Sequence, residues 1–248
     1  AHRGRPAAPP PRRARRLSVN KADRIVRLAG RGDGVTGDGR HVPLAAPGDR
    51  LDESGAVLPG PHHVVPSCRH FPRCGGCQLQ HVDDAAYGAF LIDRIAGALT
   101  AQGVPLPEMR APHLSPPGAR RRASLRAERV GRKVLLGFNE GASHRIIDLA
   151  QCPVLHPDLF ALLAPLRDLL AGLLPNRRGA AVQLTRADQG VDVLLDKVTA
   201  DGIEAAEALG AFAATHRLAR LAIDDGYGPQ PRWEPEPVTV TLGGVAVP

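Results

Sequence analysis

Three of the four cysteines in this 248-residue chain stand within ten positions of one another. Cys68, Cys74 and Cys77 lie in the stretch CRHFPRCGGCQLQH, with C-x5-C-x2-C spacing. A two-residue gap lets both thiolates of one turn face a common centre, and Gly75-Gly76 permits the tight backbone this requires. Three thiolates leave a tetrahedral metal ion or a cubane cluster one ligand short. The only other cysteine, Cys152 in HRIIDLAQCPVLHP, is separated from Cys77 by seventy-four residues, so the fold must bring it back. Four cysteines with no spare is what a four-thiolate site predicts. Disulfides and unrelated buried thiols are the alternatives, and both are disfavoured if the compartment is reducing or the thiols converge. Spacing alone separates zinc from iron–sulfur poorly, since both accept four thiolates. Neither the paired CxxC spacing of a zinc ribbon nor the bacterial ferredoxin run is present. Among the residues bordering these thiols, Phe71 reads as a shield against water, beside His70, Gln80 and His81. His144 and His156 show no ligand spacing that competes with the cysteines.

A second group could do chemistry through charge. Arg120, Arg121, Arg122, Arg126, Arg129, Arg132 and Lys133 are offset locally only by Glu128. If ASLRAERV is a strand, Arg122, Ser124, Arg126 and Glu128 share one face, with Ala123, Leu125 and Ala127 beneath. Such a face is either simply solvated or a ribbon that contacts phosphates through the planar fork of arginine. The formal charge of +7 says less, because residues 1–16, AHRGRPAAPPPRRARR, hold six arginines and no acid. That tail is expected to be disordered, as a biased chain end or a non-specific nucleic-acid arm. It has no apolar run of the kind a secretory signal needs, and no segment approaches the length of apolar sequence that spans a membrane. A cytoplasmic, reducing location is expected. Beginning at Ala1 and not Met, the chain reads as a fragment.

The elements that must position these groups follow from periodicity. Hydrophobic residues make up 43% of the chain and aromatics only 3%, so aliphatic residues must fill the core. Residues 17–66 are turn-rich, with a strand near Asp23–Leu28 and a second apolar stretch, HVPLAA, which suggests a small β-barrel. After the cysteine loop at about 67–81, Asp83 or Asp84 can cap a helix carrying Tyr87, Leu91, Ile95 and Leu99, ended by Gly103 and Pro105. Tyr87 and Phe90 are expected in its core-facing side. ASLRAERV and KVLLGF flank Gly131-Arg132 as a hairpin. A helix at about 157–174 carries Leu159, Leu163, Leu166, Leu170 and Leu173, with Pro165 expected to kink or restart it. AAVQLTR and VDVLLD form a second hairpin, then come a helix at about 202–215, a strand in RLARLAID and a closing hairpin in VTVTL-Gly243-Gly244-VAV. The fold class expected is α+β, with a small β domain ahead of a larger mixed one. Gly32 to Gly37 match GxGxxG literally, but a turn and a strand follow where a dinucleotide site needs a helix N-terminus.

CRHFPRCGGCQLQH, the Tyr87-bearing helix, GARRRASLRA, LGFNEGASHRIIDLAQCPVLHP and GVDVLL, in that order, resemble the uracil-C5 RNA methyltransferases. The likeness is strongest to the iron–sulfur branch acting on 23S ribosomal RNA, and it runs from about residue 23 to 248. It implies an OB-like TRAM barrel at 17–66, a central iron–sulfur and RNA-binding domain at 67–248, and a C-terminal Rossmann-like S-adenosylmethionine domain absent from this chain. It places Cys68, Cys74, Cys77 and Cys152 on the ligands of a [4Fe–4S] cluster. It also places RNA near Arg120, Arg121, Arg122 and Arg126, with Arg121 and Arg122 the foremost candidates. Methylating uracil at C5 requires a nucleophile that adds to C6, for which the family uses a cysteine thiolate on a flipped base. It needs a methyl-donor site and a base for the C5 proton as well. With four cysteines on the cluster no thiol remains, and no DPPR-like motif or strand–glycine–helix loop is present. The chain is therefore expected to be the RNA-handling part of such an enzyme, a monomer that is inactive by itself, with no catalytic residue of its own. A non-catalytic iron–sulfur or zinc RNA-binding module is the alternative, and an electron-transfer protein a third. Against the last, the long loop closed by Cys152 reads as a structural staple.

Overall fold

The computed structural model describes residues 23–248. The Arg-rich tail and residues 17–22 of the expected barrel lie outside them. The chain divides into two compact units, one ending at His63 and the other running from Val64 to Pro248.

In the first unit β1 (Ile25–Leu28), β2 (Gly34–Thr36) and β3 (His41–Val42) form an antiparallel sheet in that order. β4 (Arg50–Leu51) and β5 (Val57–Leu58) form a separate ladder, tied to the first by the Arg24–Arg50 bridge. The glycine run at 32–37 leads through β2 into a turn, and no α-helix occurs among the described residues of this unit. Gly34 is required by proximity, because a Cβ there would stand 2.7 Å from the Ala45 carbonyl oxygen. Asp49, with 0% exposure, holds the unit together. Its carboxylate accepts from the Ala46 N–H at 2.7 Å and the Gly60 N–H at 2.6 Å, and meets His63 Nδ1 at 2.7 Å. One side chain thus joins the turn before β4 to the end of the unit. Removing it strands the buried Ala46 N–H and the part-buried Gly60 N–H, so Asp49→Ala is expected to destabilise the unit by about 3 kcal/mol, read by chemical denaturation.

The second unit is a mixed α+β domain. Its helices are α1 (Asp84–Ala101), α2 (Pro157–Ala161), α3 (Leu163–Leu173) and α4 (Ile203–Thr215). Its main sheet has six strands: β6 (Arg122–Val130), β7 (Lys133–Gly137), β8 (Gly179–Arg186), β9 (Val191–Asp196), β10 (Arg220–Asp224) and β11 (Gln230–Trp233). Their order is β11-β10-β9-β8-β6-β7, antiparallel except for the β9–β10 pair, whose parallel connection runs through α4. β12 (Val240–Leu242) and β13 (Val245–Val247) form the closing hairpin, held by the Asp188 carboxylate, which accepts from the Thr241 N–H at 3.2 Å.

The alternation of β6 decides how this sheet packs. Ala123, Leu125 and Ala127 are buried in register with Leu184, Val182 and Ala180 of β8, while Arg122, Ser124 and Arg126 are exposed. The same parity continues through Val193 and Leu195, so one whole face is apolar and the helices cover it. α3 lies against β7 and α4, α2 against β8, and α4 against β10 and β11. Leu159, Leu163, Leu166 and Leu170 form the helical side of the core.

The helix expected at about 157–174 does restart near Pro165, while α1 departs from expectation. The chain breaks at Leu162, ahead of Pro165, which then sits in the first turn of α3, where a missing N–H costs nothing. The last stripe position to be buried is Leu174, not Leu173. α1 is capped by Asp83, whose side chain accepts from the Ala86 N–H at 2.8 Å, but its buried positions are Ala86, Gly88 and Phe90. Ile95 of the expected stripe is 53% exposed. Among the described residues no helix is long and apolar enough to cross a membrane.

Candidate metal centre and charged face

Cys68, Cys74, Cys77 and Cys152 all line one small pocket, of about 10 Å³. None is in a disulfide; Cys68 and Cys74 are buried, and the other two partly so. Phe71, Phe138 and Leu149 give the pocket apolar walls, and Gly76, Gln80, Arg120 and Gln151 complete its lining. Burial pushes the Cys74 thiol above its ordinary value, and the charges of Cys77, Cys68 and Cys152 push it further, opposed by a hydrogen bond from the Gly76 N–H. Among the described residues no group of three or more His, Cys, Asp or Glu side chains is gathered closely enough to hold a metal ion. The donor set and its apolar shell nevertheless suit a thiolate-bound centre.

Local hydrogen bonds shape the three-cysteine loop. The Phe71 N–H donates to the Cys68 carbonyl at 3.1 Å and the Cys74 N–H to the His70 carbonyl at 2.9 Å, winding the loop about itself. Gly75 and Gly76 are needed for close approach. A Cβ on Gly75 would meet the Asn139 carbonyl oxygen at 2.8 Å, and one on Gly76 would meet the Phe138 ring at 3.0 Å. The Gly75 N–H uses that proximity, donating to the same Asn139 oxygen at 2.9 Å. Phe71 stacks on His81 with ring centroids 5.8 Å apart, walling one side.

Cys152 is returned by the segment that follows β7. Residues 145–149 run back along that strand, with the Ile147 N–H donating to Phe138 at 2.9 Å and the Leu149 N–H to Leu136 at 3.0 Å. Arg167 of α3 clamps the segment, donating to the Leu149 carbonyl and to Asp148, both at 2.7 Å. Two side chains then sew it to the cysteine loop. His70 Nε2 accepts from the Ala150 N–H at 3.2 Å, and Gln151 Nε2 donates to the Ser67 carbonyl at 3.1 Å. Burial, helped by the charge of Arg69, holds His70 below its ordinary value, which favours the neutral ring that can accept.

The four arginine candidates separate into two roles. Arg120 lines the thiol pocket and donates to the Gly76 carbonyl at 3.3 Å, while its backbone pairs with Val154 and His156. Arg121 is exposed and donates to the Arg186 carbonyl at 3.0 Å. Arg122 and Arg126 stand on the uncovered sheet face, and no hydrogen bond or ion pair engages either among the described residues.

The chain is 48% identical over 224 residues to an uncharacterized RNA methyltransferase of Zymomonas mobilis, covering 90% of this chain and 56% of the relative. A second uncharacterized RNA methyltransferase, from Rhizobium meliloti, is 31% identical over 218 residues, 81% of this chain and 52% of the relative. The chain is a homologue of RNA methyltransferases. A 23S rRNA (uracil(1939)-C(5))-methyltransferase of Pectobacterium carotovorum is 38% identical over 133 residues, 52% of this chain and 30% of the relative. The chain thus spans about half the length of the first two relatives. No family model matches it.

His70, Gln151 and Arg167 had no signal in the sequence as positioning residues. Each acts across a turn or strand that spacing does not reveal.

Proposed function

We propose that this chain is the RNA-handling part of an S-adenosylmethionine-dependent RNA uracil-C5 methyltransferase acting on 23S ribosomal RNA, in which Cys68, Cys74, Cys77 and Cys152 hold a [4Fe–4S] cluster. The observation that carries this is the convergence of all four cysteines on one pocket in a homologue of RNA methyltransferases. A single zinc ion would draw four sulfurs to within about 4 Å of one another. No group of three or more His, Cys, Asp or Glu among the described residues is close enough for a single ion, so the choice of cluster over zinc is drawn from the family resemblance. When bound, the cluster supplies a four-thiolate crosslink between the 68–77 loop and the segment ending at Cys152. Phe71, Phe138 and Leu149 exclude water from it, and Arg120 braces the loop.

Residues 17–66 are read as the OB-like TRAM module and 67–248 as the central domain. Arg121 and Arg122 lead the RNA contacts, since both are exposed and Arg122 is unengaged. With every cysteine at the pocket, the 248 residues hold no spare thiol to add to uracil C6, so methyl transfer needs residues and a donor site beyond them. A cytoplasmic, monomeric protein fits four free thiols and an RNA substrate. Binding of a fluorescein-labelled single-stranded uridine oligonucleotide tests the RNA reading. Arg121→Ala/Arg122→Ala is expected to weaken binding about tenfold at low salt and to reduce the salt slope by roughly 0.7 per phosphate left without a cation. Unchanged affinity and slope would leave these arginines as plain surface.

A further inference from the structure

Away from the thiol pocket, one end of the sheet carries an open trough of about 330 Å³. Arg126, Lys197, His144 and Glu128 line it together with Ala127, Gly179 and Ala180. Arg126 projects from a cleared row. Its partners across the sheet are Gly137 on one side and Ala181 on the other, so no bulky neighbour covers the guanidinium. Lys197 follows β9, and its N–H donates to the Asp224 carbonyl at 2.9 Å, which fixes the backbone while the ammonium stays exposed. No hydrogen bond or ion pair engages the side chain of Arg126, Lys197 or His144 among the described residues.

The bond from Lys197 to Asp224 also connects the trough to an unusual aromatic. Only eight residues of this chain are Phe, Trp or Tyr, yet Tyr227 is 91% exposed. It sits between Gly226 and Gly228, both at positive φ, on the loop joining β10 to β11. The Asp224 carboxylate ties that loop down, accepting from the Gly226 N–H at 2.8 Å and the Gly228 N–H at 3.1 Å. Burying no apolar surface, Tyr227 adds nothing to the core. A ring displayed on a fastened loop, three residues from the Asp224 carbonyl that the Lys197 N–H meets, together with the unengaged cations of the trough, offers what single-stranded nucleic acid requires, a phosphate contact and a stacking surface.

We propose that this end of the sheet is a two-point site for single-stranded RNA, with a phosphate held between Arg126 and Lys197 and an unstacked base on Tyr227. It rests on the RNA-binding reading above and places RNA at a point apart from Arg121 and Arg122. Glu128 also lines the trough and partly opposes the bound phosphate, against the two cations that hold it. The Asp224 carboxylate is occupied by its own loop and does not oppose the base.

The test is anisotropy of the labelled uridine oligonucleotide across a salt series, on the full chain. Arg126→Ala/Lys197→Ala is expected to weaken binding at least about tenfold and to lower the salt slope by roughly 0.7 for each phosphate that is no longer neutralised. Tyr227→Ala is expected to weaken it about 5- to 150-fold at every salt concentration with the slope unchanged, while Tyr227→Phe binds as the parent does. All three positions are solvent-facing, and circular dichroism of each variant checks that the fold is retained. If these variants bind like the parent while Arg121→Ala/Arg122→Ala is weakened, the RNA reading stands and the two-point site is wrong. If the parent chain itself binds no RNA, the wider reading fails and this site with it.

Discussion

Cys152→Ala is expected to abolish retention of iron and inorganic sulfide after anaerobic reconstitution, although Cys68, Cys74 and Cys77 remain. In the proposed cluster three thiols come from one loop, and the fourth completes the set and joins the loop to the strand-backed segment at 145–152. Its loss also removes a crosslink closing a long stretch of chain, since seventy-four residues lie between Cys77 and Cys152. By the loop-closure entropy of a covalent crosslink this is worth up to about 4 kcal/mol. That stabilisation should appear only in reconstituted protein. Parent and variant should unfold alike without metal and differ once iron and sulfide are supplied. Iron and sulfide analysis, with the thermal midpoint in both states, reads the result. A variant that keeps a full complement of iron would remove Cys152 from the ligand set. One zinc per chain with no sulfide, in the parent, would replace the cluster with a zinc site.

Gly137→Ala is expected to be the most damaging single-methyl addition in the domain, costing about 3 kcal/mol or more. A Cβ at this position would stand 2.0 Å from the Ile147 carbonyl oxygen and 2.9 Å from Leu149 Cγ. Neither can yield cheaply. Ile147 and Leu149 are held by backbone bonds to Phe138 and Leu136, and Leu149 is buried in the core. The displaced segment is the one that delivers Cys152, so the variant should also reconstitute poorly. Gly97→Ala is the matching control, because no atom lies within 4 Å of a Cβ there and Gly97 is inside α1. It should stabilise the chain by about 0.5–1 kcal/mol through helix propensity. Chemical denaturation of both variants decides the matter, and a Gly137→Ala protein as stable as its parent would overturn this account of how the segment is held.

Local order was well displayed along the chain. The alternation in ASLRAERV correctly separates buried Ala123, Leu125 and Ala127 from exposed Arg122, Ser124 and Arg126, because a half-covered sheet imposes a period of two. Hairpins were legible where turn residues such as Gly131 stand between apolar runs. β11 was not, since Gln-Pro-Arg-Trp carries no alternation and pairs at the sheet edge through an irregular register with β10. The stripe on α1 misled for a related reason. Periodicity reports a possible buried face, but α1 buries only its first two turns, and Ile95 stays exposed.

The thiol site divides along the same line. Cys68, Cys74 and Cys77 are bound to lie together, because a short loop with Gly75-Gly76 cannot separate them far. The amino-acid sequence by itself determined that proximity, the count of four thiols and the exposed arginine face. Whether Cys152 completes the set depends on residues 145–149 folding back along β7, on Gly137 leaving room, and on Arg167, His70 and Gln151 holding the result. Likewise only packing turns Arg120 inward to brace the cysteine loop and leaves Arg126 between Gly137 and Ala181. Those contacts join residues far apart in the chain, where no local preference acts, and the burial of one shared core selects them.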